Sequence, residues 1–285
     1  MTDTAAHAAT RVVATQLIAA QRTGTPCPPV RDLLPDTTPS TGYAVQSLLT
    51  QARLDEGHRI VGRKIGLTSP AVQAQLGVDQ PDFGVLFDDM ACPQDQVVDI
   101  TRLLQPKIEA EIAFVLAADL DTDDITATTA RAVVGQAVAA LEIVDSRIAG
   151  WDISLVDTVA DNASSGLYVL GDEPVALGAQ DLRTVEMTMT DHTGHTVSSG
   201  CGAACLGDPI AALVWLARTA RAFGASLRAG DVVLSGALGP MVPVVAGGTY
   251  TADLSGLGTV RATFSTATGA DETAPHRITA DSGRD

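Results

Sequence analysis

The sequence predicts an α+β protein in which a small helical region precedes a larger domain built mainly of β-strands. Residues 4–23 and 40–54 carry apolar side chains at helical spacing. Beyond residue 58, short apolar runs separated by glycines and turn residues indicate strands, with further helices expected at residues 128–138 and 208–223. These boundaries divide the chain into a helical cap (1–57), a β-rich domain (58–265) and a polar tail that we expect to be disordered (266–285).

The composition disfavours several classes of partner. The 285-residue chain carries a formal net charge of −16, which disfavours binding to a nucleic-acid backbone or to an anionic membrane. The first residues lack a signal-like pattern, and we expect no apolar run to approach the roughly 20 residues needed to span a bilayer. We therefore expect a cytoplasmic protein. Its four cysteines are expected to be reduced thiols, because their spacing fits neither a disulfide framework nor a CxxC motif.

Two carboxylates interrupt an apolar strand pattern at residues 106–116. Because side chains on a strand alternate between its two faces, Glu109 and Glu111 point in the same direction, roughly 7 Å apart. Two such carboxylates can converge on one cation, and leaving them unpaired in an apolar setting would be unfavourable. The pattern alone is equally typical of an edge strand with a solvated acidic face.

A third carboxylate favours the metal interpretation. Glu142 lies within an apolar, strand-like run at residues 139–145. Three oxygen ligands with open coordination positions suit Mg²⁺ or Mn²⁺ better than Zn²⁺, which prefers nitrogen and sulfur ligands. The sequence therefore predicts a divalent-cation site formed by Glu109, Glu111 and Glu142.

Two further residues are candidates for proton transfer. Lys64 lies in a basic strand between Gly62 and Gly66, where backbone can approach a ligand closely, although a surface lysine fits the same pattern. Asp82 precedes an apolar run and, taken alone, is typical of a turn. The chain lacks P-loop, GxGxxG, HExxH and GxSxG motifs, and its histidines fall at expected termini, element edges or a hairpin turn. A general base must therefore come from Lys64, Asp82, a glutamate or metal-bound water.

A polar, turn-prone segment at residues 157–166 can donate hydrogen bonds to a small anionic substrate, although an ordinary loop has the same composition. This segment and four other blocks resemble the 2-keto-4-pentenoate hydratases (2-hydroxypenta-2,4-dienoate hydratases) of aromatic meta-cleavage pathways, within the fumarylacetoacetate hydrolase superfamily. The resemblance covers roughly residues 43–264. Its blocks are GRKIGLT (62–68), QPDFGVLF (80–87), QPKIEAEIA (105–113), DTVADNASSG (157–166) and LSGALGPM (234–241).

The resemblance implies a mixed β-roll core of the fumarylacetoacetate hydrolase C-terminal type, with Mg²⁺ or Mn²⁺ held by the three glutamates. It also implies catalytic roles for Lys64 and Asp82. A homo-oligomer, either a pentamer or a decamer, is expected, as is association with the aldolase of the same pathway. Lys107 replaces an arginine that family members often carry, which keeps the charge but loses bidentate geometry. The expected substrate contacts are Leu67, Asn162, Ser164 and Ser165.

The implied reaction adds water to a 2-hydroxy-2,4-dienoate, through its 2-oxo-3-enoate tautomer, to give a 4-hydroxy-2-oxo acid. A cation bound to the carboxylate and 2-oxo oxygens would stabilise the charge that develops on the 2-oxygen. The residues leave open which of Lys64 and Asp82 acts as acid and which as base. Three alternatives remain: a 4-oxalocrotonate decarboxylase with the same kind of metal site, a non-catalytic, metal-stabilised subunit of a partner enzyme, and a C–C bond hydrolase of the same superfamily. The hydrolase is the least favoured, because its base is often a histidine and none is well placed here.

Overall fold

The computed structural model describes residues 3–69, 73 and 80–266. Within this part of the chain, the predicted N-terminal helices are present as α1 (Asp3–Thr23) and α2 (Pro39–Asp55). Three shorter helices follow, α3 (Ala127–Val133), α4 (Leu155–Ala160) and α5 (Pro209–Ala222). All but the first residue of the expected disordered tail lie outside the described residues, so that expectation stays a prediction.

The strands of the described residues form two mixed sheets, as predicted. In chain order they are β1 (Ile60–Gly66), β2 (Asp82–Phe87), β3 (Val97–Val98), β4 (Lys107–Leu116), β5 (Val134–Val144), β6 (Ser165–Leu170), β7 (Glu186–Asp191), β8 (Thr196–Cys201), β9 (Val232–Ala237), β10 (Val242–Pro243), β11 (Thr249–Leu254) and β12 (Gly258–Phe264). One sheet has the order β2-β1-β9-β4-β5-β6, with β10 paired to β4, and the other has the order β3-β12-β11-β7-β8. The β1–β9 and β3–β12 pairs are parallel.

Strand β4 separates the main apolar core from a polar face by simple alternation. Ile108, Ile112 and Phe114 are fully buried in the main core, together with apolar residues of α5 and of the second sheet. Glu109 and Glu111 therefore project from the opposite face of the strand. Because β4 is paired with both β5 and β9, these two glutamates stand on a central, hydrogen-bonded strand.

The helical cap is fastened to the β-rich part of the chain by an apolar cluster and by one carboxylate. Val13 of α1 and Val45 of α2 are buried in a cluster that also contains Ile148. Asp157 of α4 accepts hydrogen bonds from the Val30 and Arg31 backbone N–H groups at 2.9 and 2.8 Å. The same carboxylate forms an ion pair of 2.8 Å with the Arg31 guanidinium. The chain that links α1 to α2 is thus held against α4.

The helix expected at residues 128–138 is shorter than predicted. It ends at Val133, and residues 134–138 form the first part of β5. Side-chain pattern does not distinguish the two states in this Ala- and Val-rich stretch. Residues 134–144 pair with β4 along almost its whole length, from Leu116 opposite Val134 to Lys107 opposite Val144. These non-local hydrogen bonds override the local preference for helix.

The predicted helix at residues 208–223 belongs to a longer apolar segment, so the expectation that no apolar run approaches membrane-spanning length is wrong. Among the described residues, Gly202–Ala222 is long and apolar enough to cross a membrane when judged by length and composition alone. Leu213, Leu216 and Ala217 within it are fully buried in the main core. Burial against the sheets accounts for this composition, because a core helix is apolar for the same reason as a membrane span.

A buried ion pair fixes the segment between α4 and β6. Arg147 Nε donates to Asp161 Oδ1 at 2.5 Å, and its Nη1 donates to the Ser165 carbonyl at 2.6 Å. Nη2 donates to the Asp161 backbone carbonyl. Both side chains are buried. Loss of either partner would leave the other charge uncompensated in the interior.

We expect Arg147→Met to lower the free energy of unfolding by about 3–5 kcal/mol, because Asp161 would then be a buried carboxylate without its cation. The matched control is Arg183→Met, which removes an exposed arginine paired with Asp181 and should change stability little. Urea unfolding of both variants measures the difference. Equal effects of the two substitutions would contradict this account of the buried pair.

Candidate active site

The three predicted metal ligands converge in the structure. Glu109 on β4 stands directly opposite Glu142 on β5, and Glu111 lies two residues further along β4. Glu111 is 0% exposed and Glu142 is 1% exposed. One carboxylate oxygen from each glutamate lies within 4.8 Å of the others. Two ligands on opposite sides of one Mg²⁺ ion would be separated by up to ~4.2 Å, so the cluster has nearly the dimensions of a cation site.

The three glutamates lie so close together that a bound cation would stabilise their charged forms. Burial and the repulsion of Glu142 raise the pKa of Glu109 to about 7, and burial with repulsion from both neighbours raises the pKa of Glu111 well above its ordinary value. Burial also raises the pKa of Glu142, although Lys64 opposes this shift. Glu111 Oε1 and Glu142 Oε2 accept no hydrogen bond from the described residues. Buried carboxylate oxygens without donors fit a divalent cation as their partner.

A backbone donor positions Glu111. The N–H of Gly236 donates to Glu111 Oε2 at 2.7 Å. Gly236 has a φ of +110°, and a Cβ there would lie 2.4 Å from side-chain atoms of Thr68. Only glycine can therefore present its N–H at this point. This glycine belongs to the 234–241 block, but its contact with Glu111 could not be predicted without the β4–β9 register.

Lys64 is the cation that stands beside the glutamates. Its Nζ lies 3.1 Å from Glu142 Oε1 and donates a hydrogen bond to the Ala163 carbonyl at 2.9 Å. The side chain is only 2% exposed, so the alternative of a surface lysine is wrong. Burial lowers the pKa of Lys64, but the surrounding carboxylates, led by Glu142 and Asp82, raise it by more. The ammonium therefore stays protonated at neutral pH.

Asp82 lies at the start of β2, opposite Gly66 of β1. Its Oδ2 accepts a hydrogen bond from Thr158 Oγ1 at 3.1 Å, whereas Oδ1 has no hydrogen-bond partner among the described residues. A Cβ at Gly66 would lie 2.2 Å from Asp82 Oδ1 and 3.5 Å from Lys64 Nζ, so glycine leaves room beside both groups. Burial raises the pKa of Asp82, and Lys64 partly offsets that shift.

The polar segment at residues 157–166 contains a left-handed turn. Asn162, Ala163 and Ser164 have φ values of 53°, 51° and 52°, which are unfavourable for residues other than glycine. The Asn162 side chain holds the turn by accepting from the Val85 N–H at 2.7 Å and donating to the Val85 carbonyl at 2.9 Å. The strained turn directs the Ala163 carbonyl to Lys64.

A cavity of about 560 Å³ unites the candidate catalytic groups. Lys64, Asp82 and Glu109 line it, as do the predicted substrate contacts Leu67 and Ser164. Other parts of its wall come from Thr158, Trp151, Ile153, Leu238 and Met241.

The other two predicted substrate contacts line a different cavity. Asn162 and Ser165 border a space of about 330 Å³ between the helical cap and the sheet. Both the oxygen and the nitrogen of the Asn162 side-chain amide form hydrogen bonds with the Val85 backbone, and the Ser165 hydroxyl lies beside Gly84. The sequence could not separate these residues from Ser164, because the left-handed turn sends neighbouring side chains in different directions.

A second cluster of possible metal ligands lies nearer the surface. His58, Asp88 and Asp89 are close enough together to hold an ion. Asp88 forms an ion pair with Arg59, and Asp89 forms one with Arg53. Because these carboxylates already have cationic partners, the buried glutamate cluster is the stronger candidate.

Comparison with known proteins assigns the chain to a family. The model of the fumarylacetoacetate (FAA) hydrolase C-terminal family matches residues 60–265, and the chain belongs to this family. A 2-keto-4-pentenoate hydratase from Paraburkholderia xenovorans (strain LB400) is 53% identical over 251 residues, which cover 88% of this chain and 93% of that protein. A 2-hydroxyhexa-2,4-dienoate hydratase from Comamonas testosteroni is 39% identical over 251 residues, covering 87% of this chain and 95% of that protein.

A solved structure resembles the whole fold. The 4-oxalocrotonate decarboxylase from Pseudomonas putida G7, complexed with magnesium and adipate, has a TM-score of 0.85 and 34% identity. The match covers 90% of this chain and 97% of that one. Together these findings confirm the predicted family, the β-rich fold with its helical region, the hydratase class and the divalent cation.

We expect Glu111→Gln to weaken Mg²⁺ binding by at least about tenfold, because it keeps the shape of the ligand and removes its charge. Asp88→Asn is the matched control, since it makes the same change in the second cluster and should leave the affinity unchanged. Calorimetric titration of both variants with Mg²⁺ makes the measurement. Loss of affinity in Asp88→Asn with normal binding in Glu111→Gln would show that the cation binds at the second cluster and not at the glutamates.

Proposed function

We propose that this chain adds water to a 2-hydroxy-2,4-dienoate, through the 2-oxo-3-enoate tautomer, to form a 4-hydroxy-2-oxo acid in aromatic meta-cleavage catabolism. The observation that carries the proposal is the convergence of three glutamates beside Lys64, next to a cavity that Lys64, Asp82 and Glu109 line. Relatives that are 50–53% identical over most of the chain are named 2-keto-4-pentenoate hydratases, which supports the same reaction.

Glu109, Glu111 and Glu142 would hold the cation, and we propose Mg²⁺ or Mn²⁺ because all three ligands are oxygens. When bound, the cation supplies a Lewis acid that stabilises the negative charge developing on the 2-oxygen of the substrate. Lys64 keeps its proton, because the surrounding carboxylates raise its pKa. Its ammonium can therefore donate a hydrogen bond to the carboxylate or the 2-oxygen of the substrate.

Asp82 is the residue suited to exchange a proton. Thr158 fixes one of its oxygens, and the other has no partner among the described residues and is free to contact water or substrate. We assign to Asp82 the proton transfers at the distal carbons, including removal of a proton from the water that attacks C4. This division of roles is our proposal for the choice between Lys64 and Asp82 that the sequence left open.

Leu67 and Ser164 are the proposed substrate contacts from the wall of the cavity, because both line the same cavity as Lys64. The Ser164 hydroxyl is buried and has no partner within the described part of the chain. Asn162 supports the left-handed turn through Val85, and Ser165 lines the other cavity. We therefore propose that these two residues act on the shape of the site and do not touch the substrate.

Two observations favour a hydratase over a decarboxylase. The 2-keto-4-pentenoate hydratases are 50–53% identical and a 2-hydroxyhexa-2,4-dienoate hydratase is 39% identical, whereas the decarboxylase with a solved structure is 34% identical. A hydratase must also hold a water molecule near the distal carbons, while a decarboxylase must keep water away from the enolate that it forms. Asp82 Oδ1 and the Ser164 hydroxyl are buried polar atoms without partners among the described residues, and both can bind such a water.

The wider setting is also part of the proposal. We propose a cytoplasmic location, which fits the resemblance of the chain to bacterial catabolic hydratases. A homo-oligomer, pentameric or decameric, and association with the aldolase of the same pathway are supported by the resemblance of the sequence blocks to the hydratase family.

The proposal is tested by offering one Mg²⁺-loaded preparation two substrates. We expect rapid loss of the absorbance of 2-hydroxypenta-2,4-dienoate, with formation of 4-hydroxy-2-oxopentanoate, and little CO₂ release from 4-oxalocrotonate. Prompt CO₂ release with little consumption of the pentadienoate would overturn the assignment in favour of a decarboxylase. Turnover of neither substrate would favour a non-catalytic subunit.

Lys64→Met should lower kcat by at least about 100-fold, because it removes a charge that acts in the transition state while nearly keeping the side-chain volume. The matched control is Lys107→Met, which changes the only other lysine of the chain and should leave kcat for the pentadienoate close to wild type. Steady-state kinetics at saturating Mg²⁺ separate the two. Normal turnover by Lys64→Met would remove Lys64 from the mechanism.

A further inference from the structure

The wall of the cavity combines a few charged side chains with several apolar ones. Within the described residues, the charged side chains that line it are Lys64, Asp82 and Glu109, and these belong to the end that holds the glutamate cluster. The remaining wall includes Trp151, Ile153, Leu238, Pro240 and Met241.

The cavity is larger than the smallest substrate of the proposed reaction. A 2-hydroxypentadienoate has eight non-hydrogen atoms, which occupy at most ~240 Å³ even if each takes the volume of a water molecule. The cavity measures about 560 Å³. Space therefore remains beyond C5, and the chemistry of the distal wall determines which substituent can enter.

Trp151 is firmly placed at this wall. Its indole Nε1–H donates to the Gln105 carbonyl at 3.0 Å, and its ring centroid lies 4.2 Å from Lys107 Nζ. Trp151 has a φ of 57° and follows Gly150, which has a φ of 65°. The hydrogen bond to Gln105, which precedes β4, and the cation–π contact with Lys107 of β4 hold this left-handed turn against the sheet.

The position of Lys107 relates Trp151 to the metal cluster. Lys107 and Glu109 lie on the same face of β4, roughly 7 Å apart. Because Trp151 contacts both Lys107 and Gln105, its indole lies beyond Glu109 towards the start of β4. With the substrate carboxylate at the glutamate cluster, as in the proposed function, we take this to be the side that receives the carbons beyond C4. Trp151 lines the cavity, whereas Lys107 does not. The ring thus lies between the Lys107 ammonium and the cavity.

We propose that Trp151 is a specificity-determining residue that selects substrates with an uncharged distal end, because its indole covers Lys107. A second carboxylate at the end of the substrate would lose its water and meet an apolar wall without a cation. An alkyl substituent would instead contact the indole and its apolar neighbours. This inference rests on the proposed function for the orientation of the substrate, and it assigns Trp151 no role in the proton transfers.

The test uses two unreactive ligands of equal length, 2-oxohexanoate and 2-oxohexanedioate, which differ in a terminal carboxylate. Calorimetry with Mg²⁺-loaded protein gives the ratio of their Kd values. Wild type should prefer the monoacid. Trp151→Ala should shift the ratio about tenfold towards the diacid, the effect of one charge-assisted contact with the uncovered Lys107. The double variant Trp151→Ala/Lys107→Met should lose this shift.

Two outcomes would overturn the proposal: an unchanged ratio in Trp151→Ala, or a shift that persists in the double variant. Lys107→Met alone should leave the ratio of the two Kd values unchanged. A changed ratio in Lys107→Met would show that the indole does not cover the lysine. This measurement tests the proposal even if Trp151→Ala fails to fold. Equal Mg²⁺ affinity in all variants confirms that the glutamate cluster is intact. Failure of wild type to hydrate the pentadienoate would refute the proposed function, whereas the binding ratios would still decide the role of Trp151.

Discussion

The crowding of three carboxylates on one face of a sheet, two of them buried, is the constraint on which the rest of the site depends. Glu109, Glu111 and Glu142 repel one another, and Glu111 and Glu142 are withdrawn from water that would otherwise stabilise their charges. A folded chain can tolerate such a cluster only if cations and hydrogen-bond donors surround it. Lys64 and the Gly236 N–H supply part of that compensation, and a divalent cation bound among the glutamates would supply the rest. The groups that stabilise the fold here are therefore also those that prepare the site for catalysis.

The chain brings these groups together through backbone that is unfavourable on its own. The left-handed turn at Asn162–Ser164 directs a carbonyl to Lys64, and the turn at Gly150–Trp151 places an indole over Lys107. Each turn is held by side chains from distant parts of the sequence. The Arg147–Asp161 pair and the Asn162–Val85 contacts hold the first turn, and the Gln105 carbonyl holds the second. Strain at the site is thus balanced by interactions that leave the cavity itself open.

The sequence alone predicts the position of those site residues that follow from a local pattern. Alternation along β4 predicted that Glu109 and Glu111 share a face, and the structure places them so. Glu142 could be proposed from composition, but its position opposite Glu109 depends on a register that no local pattern encodes. Sequence reasoning failed at residues 134–138, where pairing with β4 overrides helical preference. It also grouped Asn162 with Ser164, because a left-handed turn is invisible in the composition of a polar segment.

The central claim is that the cation binds at the glutamate cluster and nowhere else in the described part of the chain. Anomalous scattering from crystals of the protein grown with Mn²⁺ tests this claim most directly. The account predicts a strong peak among the carboxylates of Glu109, Glu111 and Glu142, adjacent to Lys64. A peak at the His58, Asp88 and Asp89 cluster, with no density between the buried glutamates, would contradict it.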